Sequence, residues 1–297
     1  MLNSNNSRNI NNRTIPLSGN SDIYLATEAI KPCAVPRNVM IIGGGVAGME
    51  AARVAARRGH KVELYEQNGS LGGNLIAAGM PDFKKECHAL IHWYGSELHE
   101  LNVPVHLHSY IEEEAILQSS ADVVIIATGS TPVKQAVPGF NNTFSAETVL
   151  VGKKDPGKTV IISGGGLVGC ETALWLCNQG KQVILVEKQN QILPVSHELS
   201  YSSTETLKRL LPQKGIIVKT DTVISHATEA GVVLLSGGQA TTQAADSVVT
   251  AIGYQSNNAL YEQLQTEVKD IYLLGDAKQV KNIMHAVRDT YDVASQI

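Results

Sequence analysis

Glu66 and Glu187 are carboxylates that follow two glycine-rich segments at the same spacing. Glu66 follows VMIIGGGVAGMEAA, with Gly43, Gly45 and Gly48; Glu187 follows VIISGGGLVGCETA, with Gly164, Gly166 and Gly169. This pattern suits a strand–turn–helix unit that receives a pyrophosphate. The first glycine permits the tight turn, the second lets backbone approach the phosphates, and the third lets the helix pack close to the strand. The N–H groups at the helix starts (Val46 and Ala47 before Gly48, Leu167 and Val168 before Gly169) point at the anion. The acid then accepts bonds from a ribose diol. One GxGxxG is weak evidence, but strand, helix and acid repeated in register are specific.

The elements that must position these residues are legible around them. In the first unit the expectation is a strand at Val39–Ile42 and a slim helix carrying Ala51, Ala52, Ala55 and Ala56. A C-terminal stop follows at Gly59, then a strand at Lys61–Tyr65. The second unit repeats this with Val160–Ile162, a helix from Leu167, a stop at Gly180 and a strand at Gln182–Val186. Gly72 and Gly73 in LGGNL, beside Asn74, suggest a second close backbone approach to the first ligand. MPDFKKECHALIHWYGSELHELN is expected to be a helix using Phe83, Leu90, Ile91, Tyr94, Leu98 and Leu101 as its apolar face. Val103–Leu107 reads as a strand. ADVVIIATGS is a buried strand ending in Ala127-Thr128-Gly129. A helix is expected at Ser200–Leu211, stopped by Pro212. ADSVVTAIGYQSN, with Gly253, echoes ADVVIIATGS, and IYLLGDA carries Gly275 and Asp276 ahead of a closing helix.

The resulting fold class is α/β: two Rossmann-like three-layer dinucleotide-binding domains, the second inserted in the first. The boundaries expected are 37–145 plus 246–297 for the outer domain and 146–245 for the inner one. Residues 1–36, rich in Asn and Ser, read as a poorly ordered lead-in.

Composition bounds the partners. The 297 residues suffice for two cores, and a net charge of −4 argues against nucleic acid. No apolar run is long enough to span a bilayer, so no membrane partner is expected. Four cysteines without paired spacing fit a reduced, cytoplasmic setting. His88 and His92, beside Cys87, have metal-ligand spacing but no further ligand, so they read as a surface pair and no metal is expected. Glu112–Glu114 reads as a solvated helix start, and Trp93 and Trp175 as packing residues.

Together, GGGVAGMEAA with Glu66, LGGNL, VVIIATGS, GGGLVGCETA with Glu187, TAIG and YLLGDA resemble the flavoprotein reductases whose FAD domain is interrupted by an NAD(P)H domain. A narrower similarity is to the C-terminal half of the 2,4-dienoyl-CoA reductase, 2-enoate reductase and trimethylamine dehydrogenase family, without its FMN-carrying barrel and four-cysteine cluster. Cys33 alone cannot hold such a cluster. Unlike thioredoxin reductases, the sequence has no CxxC.

The resemblance implies FAD in the first unit, with Asp276 bonding its ribityl or pyrophosphate region, and a pyridine nucleotide in the second. Glu171 would lie close to the nicotinamide; as a bare sequence feature it is equally a charge near a helix start. Glu187 favours NADH over NADPH by repelling a 2′-phosphate, although Lys188 next to it offers that phosphate a cation. Hydride would pass from nicotinamide C4 to flavin N5, so no acid–base residue is required and no catalytic residue is assigned. The implied activity is an FAD-dependent NAD(P)H oxidoreductase that passes electrons to a partner barrel flavoprotein or a small acceptor. The alternatives are a nucleotide-binding scaffold with an ADP-like ligand in the first site, or an idle fragment of a longer enoate or dienoyl-CoA reductase.

Overall fold

A computed structural model describes residues 30–194 and 200–297. Most of the expected lead-in, residues 1–29, lies outside the described residues. In chain order the strands are β1 (Asn38–Ile42), β2 (Lys61–Tyr65), β3 (Val105–His106), β4 (Val123–Ile126), β5 (Ser130–Pro132), β6 (Thr143–Ser145), β7 (Thr159–Ser163), β8 (Gln182–Val186), β9 (Ile217–Lys219), β10 (Thr222–Thr228), β11 (Gly231–Ser236), β12 (Gln239–Gln243), β13 (Ser247–Thr250), β14 (Tyr254–Ser256) and β15 (Ile271–Leu273). The α-helices are α1 (Val46–Arg57), α2 (Asn74–Ala78), α3 (Glu86–Glu100), α4 (Glu113–Leu117), α5 (Ala146–Leu150), α6 (Leu167–Asn178), α7 (Tyr201–Gln213), α8 (Ala259–Leu264) and α9 (Ile283–Ala294).

Two parallel sheets carry the architecture. The first has the order β15-β4-β1-β2-β3 and the second β6-β13-β7-β8-β9. They match position by position, with β1 and β7 central in each. Apolar runs such as VMII and TVIIS are buried on both faces, as parallel strands between layers must be. In the first lobe, Met49, Ala52, Tyr94 and Leu98 cover one face of the sheet together with Val293 and Ile297. Ile116 and Leu264, from α4 and α8, cover the other. In the second lobe α6 and α7 cover one face. The antiparallel arm β10-β11-β12 covers the other, through Val232 and Leu234.

Two strands correct the expected boundaries. Thr143–Ser145 and Ser247–Thr250, both grouped with the first unit on sequence, pair with the second sheet, β13 lying between β6 and β7. The reason is the internal repeat itself. ADSVVTAIG is the second unit's counterpart of ADVVIIATG, so it takes the place beside β7 that β4 takes beside β1.

Three element ends also differ. The strand expected at Val103–Leu107 contracts to Val105–His106, since Pro104 has no N–H to give a ladder. Helix α3 begins only at Glu86; Phe83 sits in the 3-10 turn Asp82–Lys84 and is exposed rather than on the apolar face. Helix α7 passes through Pro212 and ends at Gln213, because a proline in the last turn forfeits only one backbone bond.

Candidate dinucleotide-binding sites

Each glycine turn is built against the end of a neighbouring strand. Gly43 has φ +110°, and a Cβ there would overlap the carbonyl oxygen of Ala127. A Cβ on Gly48 would overlap the carbonyl oxygen of Gly43. The second turn repeats both constraints: Gly164 has φ +111° against Ala251, and Gly169 lies against Gly164. Gly45 and Gly166, by contrast, face nothing within 4 Å. They cap α1 and α6 without any side-chain hydrogen bond. A Cβ would thus find room where each helix begins, and the first-turn N–H groups at Val46–Gly48 and Leu167–Gly169, which have no intrahelical partner, are the donors a pyrophosphate there would use. Both sites fit the group expected of them.

The two acids are held alike but not equally. Glu66 is 5% exposed. Its Oε2 accepts from Gly44 N at 2.7 Å, and its Oε1 accepts from both Asn68 N and Asn68 Nδ2 at 2.7 Å. Glu187 is half-buried and accepts from Gly165 N at 2.6 Å and Gln189 N at 2.8 Å, with no side-chain donor among the described residues. Lys188 is exposed.

Three further loops surround the first turn. Gly72 N donates to Gly44 O at 2.8 Å, and a Cβ on Gly73 would come 3.3 Å from Gly45 Cα. Gly72 and Gly73 thus lie directly against the glycine turn. Asn74 Nδ2 donates to Ser130 O at 3.1 Å and Ser130 Oγ at 3.2 Å. Ser130 Oγ donates to Asp276 Oδ2 at 3.0 Å, and Lys281 N to Asp276 Oδ1 at 3.2 Å. Gly275 has φ +60° and lies against Ala47. Thr128 and Gly129 are fastened by Asn257: Thr128 Oγ1 donates to Asn257 O at 2.6 Å, and Asn257 N donates to Gly129 O at 3.0 Å. Gly43, Asn74, Ala127, Gly129 and Asp276 therefore come together. Gly253 (φ +113°) lies in the link between β13 and β14, two residues after the Ala251 that backs Gly164.

Glu171 lies in α6, and its carboxylate meets Lys84 Nζ at 2.8 Å. Among the described residues this is the one ion pair between the lobes. Burial pushes the Glu171 carboxyl up, and Lys84 offsets part of that shift. Sequence reasoning missed Lys84, Ser130 and Asn257. The bare run FKKE says nothing of a partner on another lobe, whereas Ser130 does follow the ATG motif directly.

The remaining candidates behave as packing or surface groups. His88 and His92 are exposed, and no cluster of metal-ligating side chains occurs among the described residues. Trp93 packs against the first core and Trp175 against the second. The glutamate run starts α4, with Glu112 at its N-cap. All four cysteines are free. Burial pushes the Cys87 thiol up and the Cys170 thiol up to about 12, so neither is a thiolate at neutral pH.

Residues 37–290 match the family described as pyridine nucleotide-disulphide oxidoreductase. The cinnamate reductase of Clostridium sporogenes is 48% identical over 261 residues, covering 88% of this chain and 39% of that protein. The NADH oxidase of Thermoanaerobacter brockii is 36% identical over 290 residues, covering 95% and 44%. Among solved structures, a 2-naphthoyl-CoA reductase superposes with a TM-score of 0.84 at 28% identity, covering 91% of this chain and 41% of that one. The thioredoxin reductase of Lactococcus lactis, at 20% identity and TM-score 0.71, covers 88% and 97% and shares the fold. The chain thus spans about two-fifths of the length of the curated relatives named. It belongs to the pyridine nucleotide-disulphide oxidoreductase family, and its cofactors are FAD and a pyridine nucleotide. No helix among the described residues is long and apolar enough to cross a membrane.

Proposed function

We propose that the first lobe keeps FAD as a resident group and the second admits NADH as an exchanging substrate, with electrons leaving to an acceptor outside the chain. The observation that carries this order is the asymmetry of the two sites. Glu66 is buried under three donors, and its turn is enclosed by the Asn74, Ser130 and Asp276 network. Glu187 is half-buried under two backbone donors; Leu193 N donates to Gly165 O as Gly72 N does to Gly44 O, but among the described residues no side-chain network like that of Asn74, Ser130 and Asp276 joins it. A preorganised, enclosed site suits slow release; an open one suits turnover.

In this reading Gly43, Gly45, Val46, Ala47 and Gly48 hold the FAD pyrophosphate and Glu66 its adenosine ribose. Gly72, Gly73 and Asn74, Ala127–Gly129, and Gly275 with Asp276 hold the remainder. Gly164, Gly166, Leu167, Val168, Gly169 and Glu187 hold the pyridine nucleotide, with Glu171 and Gly253 toward the cleft. The flavin, when bound, supplies hydride acceptance; the chain supplies binding, orientation and charge. Glu187 favours NADH, while the exposed Lys188 beside it is the group a 2′-phosphate would use.

The four free thiols include no CxxC pair, and two are held protonated, which supports an outlet beyond the chain and a reducing compartment. A barrel flavoprotein as the acceptor is supported by the chain's matching only part of longer reductases, among them a multifunctional alkene reductase/demethylase OYE of Caballeronia cordobensis. The first test is the visible spectrum of the purified chain after FAD is supplied. A bound, oxidised flavin is expected. A chain that stays colourless refutes the reading and favours the scaffold alternative with an ADP-like ligand.

A further inference from the structure

The two glycine turns rest on matching strand ends that run into one another. Ala127 lies under Gly43, and Ala251 lies under Gly164. Ala127 continues through Thr128 and Gly129 into β5. Ala251 continues through Ile252 and Gly253 into β14. Strands β5 and β14 then pair antiparallel, Ser130 with Ser256 and Pro132 with Tyr254, and Val133 N donates to Gly253 O at 2.9 Å. The floor of each nucleotide turn is therefore one end of a shared two-stranded ribbon.

Asn257 locks that ribbon. Besides its bonds to Thr128 Oγ1 and Gly129 O, its Nδ2 donates to Thr128 O at 3.1 Å, and its Oδ1 accepts from Thr131 Oγ1 at 3.2 Å. The adjacent Ser256 Oγ donates to Asp276 O at 2.6 Å, while Ser130 holds the Asp276 carboxylate. Because both turn floors are ends of this one paired and locked ribbon, a ligand that fixes one floor also fixes the position of the other, which makes binding at the two sites mutually favourable. The coupling must be reciprocal.

We propose that the β5–β14 ribbon couples the two nucleotide sites, so that a pyridine nucleotide in the second slows release of FAD from the first, with Asn257 as the positioning residue. This rests on FAD and a pyridine nucleotide occupying the sites as proposed above. The Lys84–Glu171 pair is the competing route between the lobes.

The test is the rate of FAD release on dilution, followed by free-flavin fluorescence, with and without saturating NAD+. In the unaltered chain NAD+ is expected to slow release about fivefold or more. In Asn257→Ala release is faster and NAD+ no longer alters it; Thr131→Val, which removes a single exposed hydroxyl, weakens the effect without threatening the fold. Lys84→Met keeps the effect. An equal NAD+ effect in the unaltered chain, Asn257→Ala and Thr131→Val overturns the proposal, as does its loss in Lys84→Met alone. If Asn257→Ala does not fold, an unchanged effect in Thr131→Val overturns it. A chain that takes up no FAD, or whose tryptophan fluorescence does not respond to NAD+, overturns the underlying reading and the coupling with it. Bound FAD with NAD+ binding that leaves its release unchanged overturns the coupling only.

Discussion

Replacing Glu187 with alanine should change which pyridine nucleotide the second lobe prefers, by an amount the geometry bounds. The carboxylate stands at the end of β8, oriented by Gly165 N at 2.6 Å and Gln189 N at 2.8 Å. Each oxygen retains a lone pair for a ribose hydroxyl. Losing a charged hydrogen bond costs about 1.5–3 kcal/mol, and a half-buried carboxylate belongs at the lower figure. NADH binding should therefore weaken about tenfold. A 2′-phosphate about 5 Å from the carboxylate is repelled by about 3 kcal/mol per charge at an effective dielectric of about 20, and solvent exposure and salt reduce that to about 1.5 kcal/mol. NADPH should gain accordingly, so the ratio of kcat/KM values, NADH over NADPH, should fall about a hundredfold. Glu187→Gln keeps an acceptor for Gly165 N without the charge, so it should recover the loop and part of NADH binding. The assay is flavin reduction by each nucleotide over a concentration series without oxygen. An unchanged ratio in Glu187→Ala would show that the ribose lies elsewhere.

Other consequences follow from single positions. Gly45→Arg should leave the fold intact by circular dichroism, since a Cβ there meets nothing within 4 Å, yet abolish FAD retention; full flavin occupancy would refute the site. Gly169→Ala drives a methyl into the Gly164 carbonyl and should destabilise the chain by about 1–3 kcal/mol in a urea titration; unchanged stability would contradict the packing. Lys84→Ala leaves the buried Glu171 carboxylate without its cation and should lower stability by about 2 kcal/mol at neutral pH. Because burial raises Glu171 in the folded chain, the folded state holds the extra proton, and that loss should shrink as pH falls through the carboxylate range. Tyr254, raised by burial to about 12 from 10.0, stays protonated in the folded chain where the unfolded chain ionises. The folded state then binds more protons between those values, so stability falls as pH rises through that window, less steeply in Tyr254→Phe.

Local physics made most of the two units readable. Gly43, Gly48, Gly164 and Gly169 are fixed by contacts a Cβ would violate, and the strands and helices beside them are continuous apolar or alanine-rich runs. What stayed hidden was long-range pairing. Strand β13 looked like part of the outer domain by position, although its likeness to β4 already placed it in the second sheet. Lys84 and Asn257 carry no local signature, because their partners lie 87 and 129 residues away, on segments that only the tertiary fold brings near. The two carboxylates looked equivalent in sequence. They differ in that Asn68 adds a side-chain donor to Glu66, which no spacing rule describes.

The central claim is that a pyridine nucleotide bound by the second lobe reduces FAD held by the first. It is tested most directly by mixing the FAD-loaded chain with NADH in the absence of oxygen and following the visible flavin band in a stopped-flow instrument. The account predicts rapid, complete bleaching in a single phase set by NADH concentration, and recovery of the band only when a dye, quinone or barrel flavoprotein is added. A flavin band that NADH leaves unchanged would contradict it.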